Sequence, residues 1–115
     1  MRGVAMVIPA CILNALRFGQ RPFTYSFHST VAAVQGLYAF WLNGKCLYVG
    51  ESRNLQQRLY QHRMREHNTK LEKYFNVYAR EIRASYVVLD DRQDRLALER
   101  EAIRYLRPVA NIAYR

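Results

Sequence analysis

Residues Gly36 to Leu42 are apolar at every side-chain position. In an extended chain Leu37, Ala39 and Trp41 share one face and Tyr38, Phe40 and Leu42 the other, so the pattern predicts a central strand covered on both sides. Asn43-Gly44 then marks a hairpin turn into a second strand, Lys45 to Gly50. The loop length sets which tyrosines share a face. A two-residue Asn43-Gly44 loop continued in regular register pairs Ala39 with Tyr48 and separates Tyr38 from Tyr48. A three-residue loop that takes in Leu42 pairs the tyrosines directly, and Gly44 suits its left-handed position, so this loop is the expectation.

The period changes after Ser52. Asn54 is a good N-cap for a helix to about Glu66, with Leu55 and Leu59 inward and Arg58 and His62, one turn apart, on the same face. Leu71, Tyr74, Phe75 and Tyr78 have the i, i+3, i+4, i+7 spacing of another helix, and Ile82 to Leu89 reads as a third strand. Asp90 or Asp91 caps a last long helix to about Leu106. Leu96, Ile103 and Leu106 form its expected apolar stripe, with Glu99 in the middle and Glu101 pointing away. A carboxylate on a core-facing stripe is costly unless it is paired or binds a cation, which singles out Glu99. A buried Glu99–Arg58 ion pair without chemistry and a structural His62 remain open at this point.

Ahead of this block, Pro9 opens and Gly19 closes a short helix, and Phe23, Tyr25 and Phe27 alternate with polar residues as in a half-buried edge strand. Residues 1–35 are thus read as an N-terminal helix and strand extension packed on a 36–115 core. Met1 to Phe18 pairs an arginine with an apolar run, as targeting segments do. Pro9 interrupts the run and no small-residue cleavage site follows, so the expectation is an intracellular, cytoplasmic or nucleoid-associated protein, with organellar targeting left open.

Composition narrows the partners. The 115 residues fit one domain, and 18 Lys+Arg against 9 Asp+Glu give a formal charge of +9, with no acidic residue before Glu51. Such an imbalance suits a phosphate backbone. The two cysteines, Cys11 and Cys46, lack metal-site spacing and are read as buried thiols. No stretch approaches the roughly 20 apolar residues of a membrane span.

Gly36-Leu37-Tyr38 and Tyr48-Val49-Gly50, followed by Arg58 and His62 and then by Glu99, Pro108 and Asn111, resemble the ordered signature of the GIY-YIG nucleases over residues 36–111. The resemblance implies a small α/β domain with a central three-stranded antiparallel sheet flanked by helices. It also implies a divalent-metal-dependent endonuclease that hydrolyses DNA phosphodiester bonds, one strand per active site, with low intrinsic sequence specificity. In family terms Glu99 holds one Mg2+ (or Mn2+), and Tyr48 is the general base with its pKa lowered by a cationic site. Tyr38 positions water or phosphate, Arg58 clamps the phosphate, and His62 bonds a phosphate or tunes a tyrosine. Gly36, Gly50 and Asn111 hold the geometry, Gly50 by a sharp backbone turn. Some family members have lysine where Glu51 stands, so Arg53 or Lys45 is expected to supply that charge. DNA contacts are expected from Lys45, Arg53, Arg63, Arg65 and Lys70. A protein partner or homodimer would add specificity. The other readings are a catalytically inert nucleic-acid-binding module or subunit and an RNA-directed nuclease.

Overall fold

The computed structural model describes residues 8–111. The first seven residues of the expected extension lie outside this range. The elements run α1 (Ala10–Phe18), β1 (Arg21–Pro22), a 3-10 turn (Phe27–Thr30), β2 (Gly36–Leu42), β3 (Lys45–Ser52), α2 (Leu55–Met64), α3 (Thr69–Val77), β4 (Arg83–Val88) and α4 (Arg92–Leu106). All strand pairs are antiparallel, in the order β1-β4-β2-β3.

The three expected strands form, with β2 central and buried throughout, and the two-residue β1 makes a fourth. The expected alternating strand at Phe23–Phe27 does not form. Phe23 and Phe27 are instead buried from a turn, stacked edge to face with centroids 5.7 Å apart, while Tyr25 is exposed. Period-two burial arises there without a ladder.

Each face of β2 meets a different set of helices. Leu37, Ala39 and Trp41 pack with Ile12 and Leu16 of α1 and with Leu98, Ala102 and Ile103 of α4. Tyr38, Phe40 and Leu42 pack with Leu55 and Leu59 of α2 and Leu71 of α3. Ser85 couples α1 to the sheet: it accepts from Trp41 Nε1 at 3.0 Å and donates to the Leu16 carbonyl at 2.6 Å. Cys46 is buried as expected, but Cys11 is exposed on α1, because the buried face of that helix is carried by Ile12, Leu13 and Leu16.

The β2–β3 hairpin departs from the expected three-residue loop. Leu42 pairs with Lys45, so the turn is the two-residue Asn43-Gly44, both with positive φ (50° and 79°), the signature of a type I′ turn. The tyrosines nevertheless share a face, because a bulge places Leu47 as an extra residue between the Trp41–Cys46 and Phe40–Tyr48 pairs. One inserted residue reverses the alternation beyond it. Tyr48 therefore lies opposite Phe40, and Tyr38 lies opposite Gly50.

Helix ends follow local chemistry. Asn54, Asn68 and Asp91 cap α2, α3 and α4 by accepting N–H bonds from Gln57, Leu71 and Asp94. Arg107, in the left-handed conformation before Pro108, ends α4 and turns the chain toward β3.

Candidate active site

The outer edge of β3 is where the site is assembled. The chain after α4 runs along this edge, with Ala110 N–H donating to the Leu47 carbonyl at 2.8 Å. Asn111 continues the pairing with its side chain. Its Oδ1 accepts from Val49 N–H at 2.9 Å, and its Nδ2 donates to the Val49 carbonyl at 2.8 Å. Two residues further, the Glu51 N–H favours the Glu99 carboxylate. Edge groups that would template aggregation are thereby covered, and Glu99 of α4 is held at the border between the two faces of the sheet.

On the α2 face, Tyr38 is fully buried and Tyr48 half-buried, with ring centroids 6.1 Å apart. The Tyr38 hydroxyl is 2.6 Å from His62 Nε2, and His62 Nδ1 contacts the Glu66 carboxylate. The Arg58 guanidinium lies close enough for its charge to act on Tyr38, Tyr48 and Glu99. Tyr48, Arg58 and His62 line a recess of about 490 Å³ together with Arg65 and Glu66. A second recess, of about 460 Å³, adjoins it through Arg58 and Gln61 and is walled by Arg53, Arg92 and Arg95. Sequence spacing placed Arg58 inward with Leu55 and Leu59, but it is exposed, its long stem carrying the guanidinium over the tyrosines.

Two glycines make room for the site. Gly50 lies within β3 with no positive φ, so the expected sharp turn is absent; a Cβ there would come within 2.4 Å of the Tyr38 hydroxyl. At Gly36 a Cβ would lie 2.1 Å from the Val87 carbonyl oxygen.

The acidities run against the expected low-pKa tyrosine. Burial, followed by the charges of Glu99 and Glu66, pushes Tyr48 up, with Arg58 and Tyr38 opposing. Tyr38 is held well above the usual phenol range by burial and then by Tyr48. Glu99 is pushed up to about 7 by burial and by the neighbouring Glu51 carboxylate.

The expected basic residues separate into groups. Arg53 and Arg65 line the two recesses, and Lys70 lies in an adjoining groove with Lys73 and Tyr74. Lys45 stands at the hairpin end of β3 in a recess with Arg17 and Trp41. Arg63 packs over the Tyr25 ring at 5.7 Å, with its Nε buried. These two positions are not brought to the site.

Sequence reasoning missed Arg95 and Glu66. Arg95 is 1% exposed and donates through Nε to Glu51 at 2.7 Å and through Nη1 to Gln35 Oε1 at 2.7 Å. It occupies the buried face of α4 where Leu96 was expected, and Leu96 is 39% exposed. Arg95 offsets the charge of Glu51 only; of the two cations expected to replace a lysine at that position, Arg53 shares a recess with Glu51 and Lys45 does not. For Glu66, the i, i+4 spacing from His62 was the available signal.

The sequence pattern of the UvrC-like GIY-YIG domain matches residues 34–112. The chain belongs to that family. It is by this membership a GIY-YIG-type endonuclease domain. Its fold is similar to the GIY-YIG N-terminal endonuclease domain of UvrC from Thermotoga maritima bound to its catalytic divalent cation, magnesium. The TM-score is 0.59 at 23% identity, over 70% of this chain and 86% of that one. A tyrosine-to-phenylalanine point mutant of the same Thermotoga domain, also bound to its catalytic divalent cation, matches equally, with TM-score 0.59, 23% identity and the same coverage. No curated protein matches the chain. The family match begins just before β2, and α1 and β1, which precede it, pack in the same core and the same sheet.

Proposed function

We propose that this protein is a divalent-metal-dependent endonuclease that hydrolyses DNA phosphodiester bonds, one strand per active site, with low intrinsic sequence specificity. The observation that carries this reading is the meeting of Tyr38, Tyr48, Arg58 and His62 beside the half-buried carboxylate of Glu99.

The residues fit a magnesium ion. Among the described residues no three acidic, histidine or cysteine side chains form a cage, and Mg2+ is held by one or two carboxylates while keeping several waters. Glu99, whose charge is raised in energy by burial and by Glu51, is the group that gains most from an adjacent cation. When bound, the ion supplies Lewis-acid stabilisation of the phosphate and the leaving oxygen.

The chain itself does the rest. Arg58 reaches into both recesses and binds the phosphate oxygens, placing positive charge where negative charge develops. Tyr48, facing the larger recess, takes the proton of the attacking water, and Tyr38 orients Tyr48 from the core side. Neutralising Glu99 removes the charge that raises Tyr48 most after burial, so Tyr48 ionises most readily in the loaded site. Asn111 keeps the edge of β3 in register with Glu99. Arg53 and Arg92 of the second recess bind backbone rather than bases, which gives affinity without sequence reading. Cutting both strands of a duplex takes two encounters or two copies. DNA as substrate makes the interior of the cell the place of action.

Plasmid nicking with Mg2+ or Mn2+ tests the reading. Glu99→Gln should lose cleavage by orders of magnitude and keep DNA affinity, whereas Glu101→Gln, whose partner is the exposed Arg104 at 3.6 Å, should cut like the parent. A parent that nicks neither DNA nor RNA turns the assignment to a nucleic-acid-binding module, and one that cuts only RNA changes the substrate.

A further inference from the structure

Behind the tyrosines a continuous chain of hydrogen-bonding groups runs away from the recess. Tyr48 stands beside Tyr38 on the same face, ring centroids 6.1 Å apart, Tyr38 meets His62 Nε2 at 2.6 Å, and His62 Nδ1 meets Glu66. Glu66 sits just past the end of α2, its side chain only 6% exposed, and both its oxygens are engaged. Oε1 faces His62, and Oε2 accepts from Asn68 N–H at 3.0 Å. Asn68 is in turn anchored, since it caps α3 and donates from Nδ2 to the Ala110 carbonyl at 2.8 Å.

A carboxylate has only acceptors, so the nitrogen facing Glu66 carries the proton. In neutral His62 this leaves Nε2 bare, and Nε2 then accepts from the Tyr38 hydroxyl. Tyr38, its proton directed inward, has lone pairs free for Tyr48 and Arg58. The buried charge of Glu66 thus sets the direction of every hydrogen bond up to the recess.

We propose that Glu66 is a positioning residue that, by fixing the His62 tautomer, makes the Tyr38–Tyr48 pair a route for withdrawing the Tyr48 proton into the protein. This rests on the nuclease reading of the site. The Tyr48 proton passes to the Tyr38 oxygen as the Tyr38 proton passes to His62 Nε2. Neutral phenol and imidazole become phenolate and imidazolium with no change in net charge, and the imidazolium lies against Glu66. The phenolate then takes one proton from the attacking water, whose oxygen bonds to phosphorus. The leaving oxygen takes a proton from solvent, and His62 returns its own to solvent.

Glutamine at position 66 can serve only one of its two donors well. If its oxygen stays with Asn68, its amide N–H faces His62 Nδ1 and reverses the tautomer. Nitrogen-15 NMR of the imidazoles near neutral pH, with His62 assigned through a His62→Gln variant, reads this directly. In the parent, neutral His62 should be the Nδ1–H tautomer, and Glu66→Gln should shift it toward Nε2–H. Single-turnover cleavage by Glu66→Gln should fall about 100-fold, within the range of proton-transfer catalysis, with DNA affinity nearly unchanged. An Nε2–H tautomer in the parent overturns the proposal, even if the variant cannot be folded. So does a Glu66→Gln protein with an unaltered tautomer, or one whose cleavage and DNA affinity fall together. If the parent shows the Nδ1–H tautomer yet cuts nothing, the nuclease reading fails while the imposed tautomer stands as a structural feature.

Discussion

Gly50 lies directly across the β2–β3 ladder from Tyr38, and a β-carbon on it would stand 2.4 Å from the Tyr38 hydroxyl oxygen. Tyr38 has nowhere to go, because its ring is packed against Phe40 at 5.7 Å and His62 at 5.2 Å. Gly50→Ala should therefore destabilise the fold by about 1–3 kcal/mol, as overpacking does, and break the contact with His62. Denaturant unfolding measures the first effect. A loss of cleavage larger than the unfolded fraction explains measures the second.

Glu99 makes the metal-free protein sensitive to pH. Its carboxyl titrates at about 7 in the fold against 4.5 ordinarily, so between these values the native state holds a proton that the unfolded chain has lost. Its contribution is fully present below pH 4.5 and lost as pH rises through about 7, at a cost on the order of 2 kcal/mol after allowance for partial exposure. Glu99→Gln should unfold at a higher temperature than the parent at pH 8, and the gap should close at pH 4. Added Mg2+ should raise the parent's midpoint at pH 8 and leave the variant unmoved.

The basic residues are not equivalent. Arg53 and Arg92 wall the recess that adjoins Arg58, whereas Lys45 lies at the other end of β3. DNA affinity should fall steeply with salt. Arg53→Ala and Arg92→Ala should each lower the magnitude of the log–log slope by about 1, and Lys45→Ala should leave it as in the parent. Fluorescence anisotropy at several salt concentrations separates them.

Arg95 should matter first to stability. Replacing it by methionine leaves Glu51 without its cation and Gln35 without its donor, at a cost of about 3 kcal/mol. With Glu51 no longer neutralised beside it, Glu99 should titrate still higher. The pH at which Mg2+ binding reaches half its maximum should rise, as calorimetry would detect.

Much of this was legible in the chain. The apolar run at Gly36–Leu42 announced a strand buried on both faces, and Asn54 and Asp91 announced helix starts, because those signals are local. The shared face of Tyr38 and Tyr48 was foreseen through the wrong loop. A bulge at Leu47 leaves no mark in the sequence, since the register between two strands is set by contacts through space. The edge strand expected at Phe23–Phe27 failed for a related reason: alternation reports which residues are buried, not whether a ladder partner is within reach.

By itself, the sequence determined the family and the succession of the main elements from β2 to α4, because these depend on residue type and spacing along one chain, and the same spacing named Tyr38, Tyr48, Arg58, His62 and Glu99 as candidates. Tertiary structure alone decided which charges meet. Arg95 looks like a solvated helix residue until α4 lies on the sheet and Glu51 and Gln35 come to it. Glu66 looks like a surface acid until the turn after α2 folds its carboxylate against His62. Burial and electrostatic coupling depend on distances through space, and those are set only when the edge of β3, the ends of α2 and α4 and the segment at Asn111 close on one another.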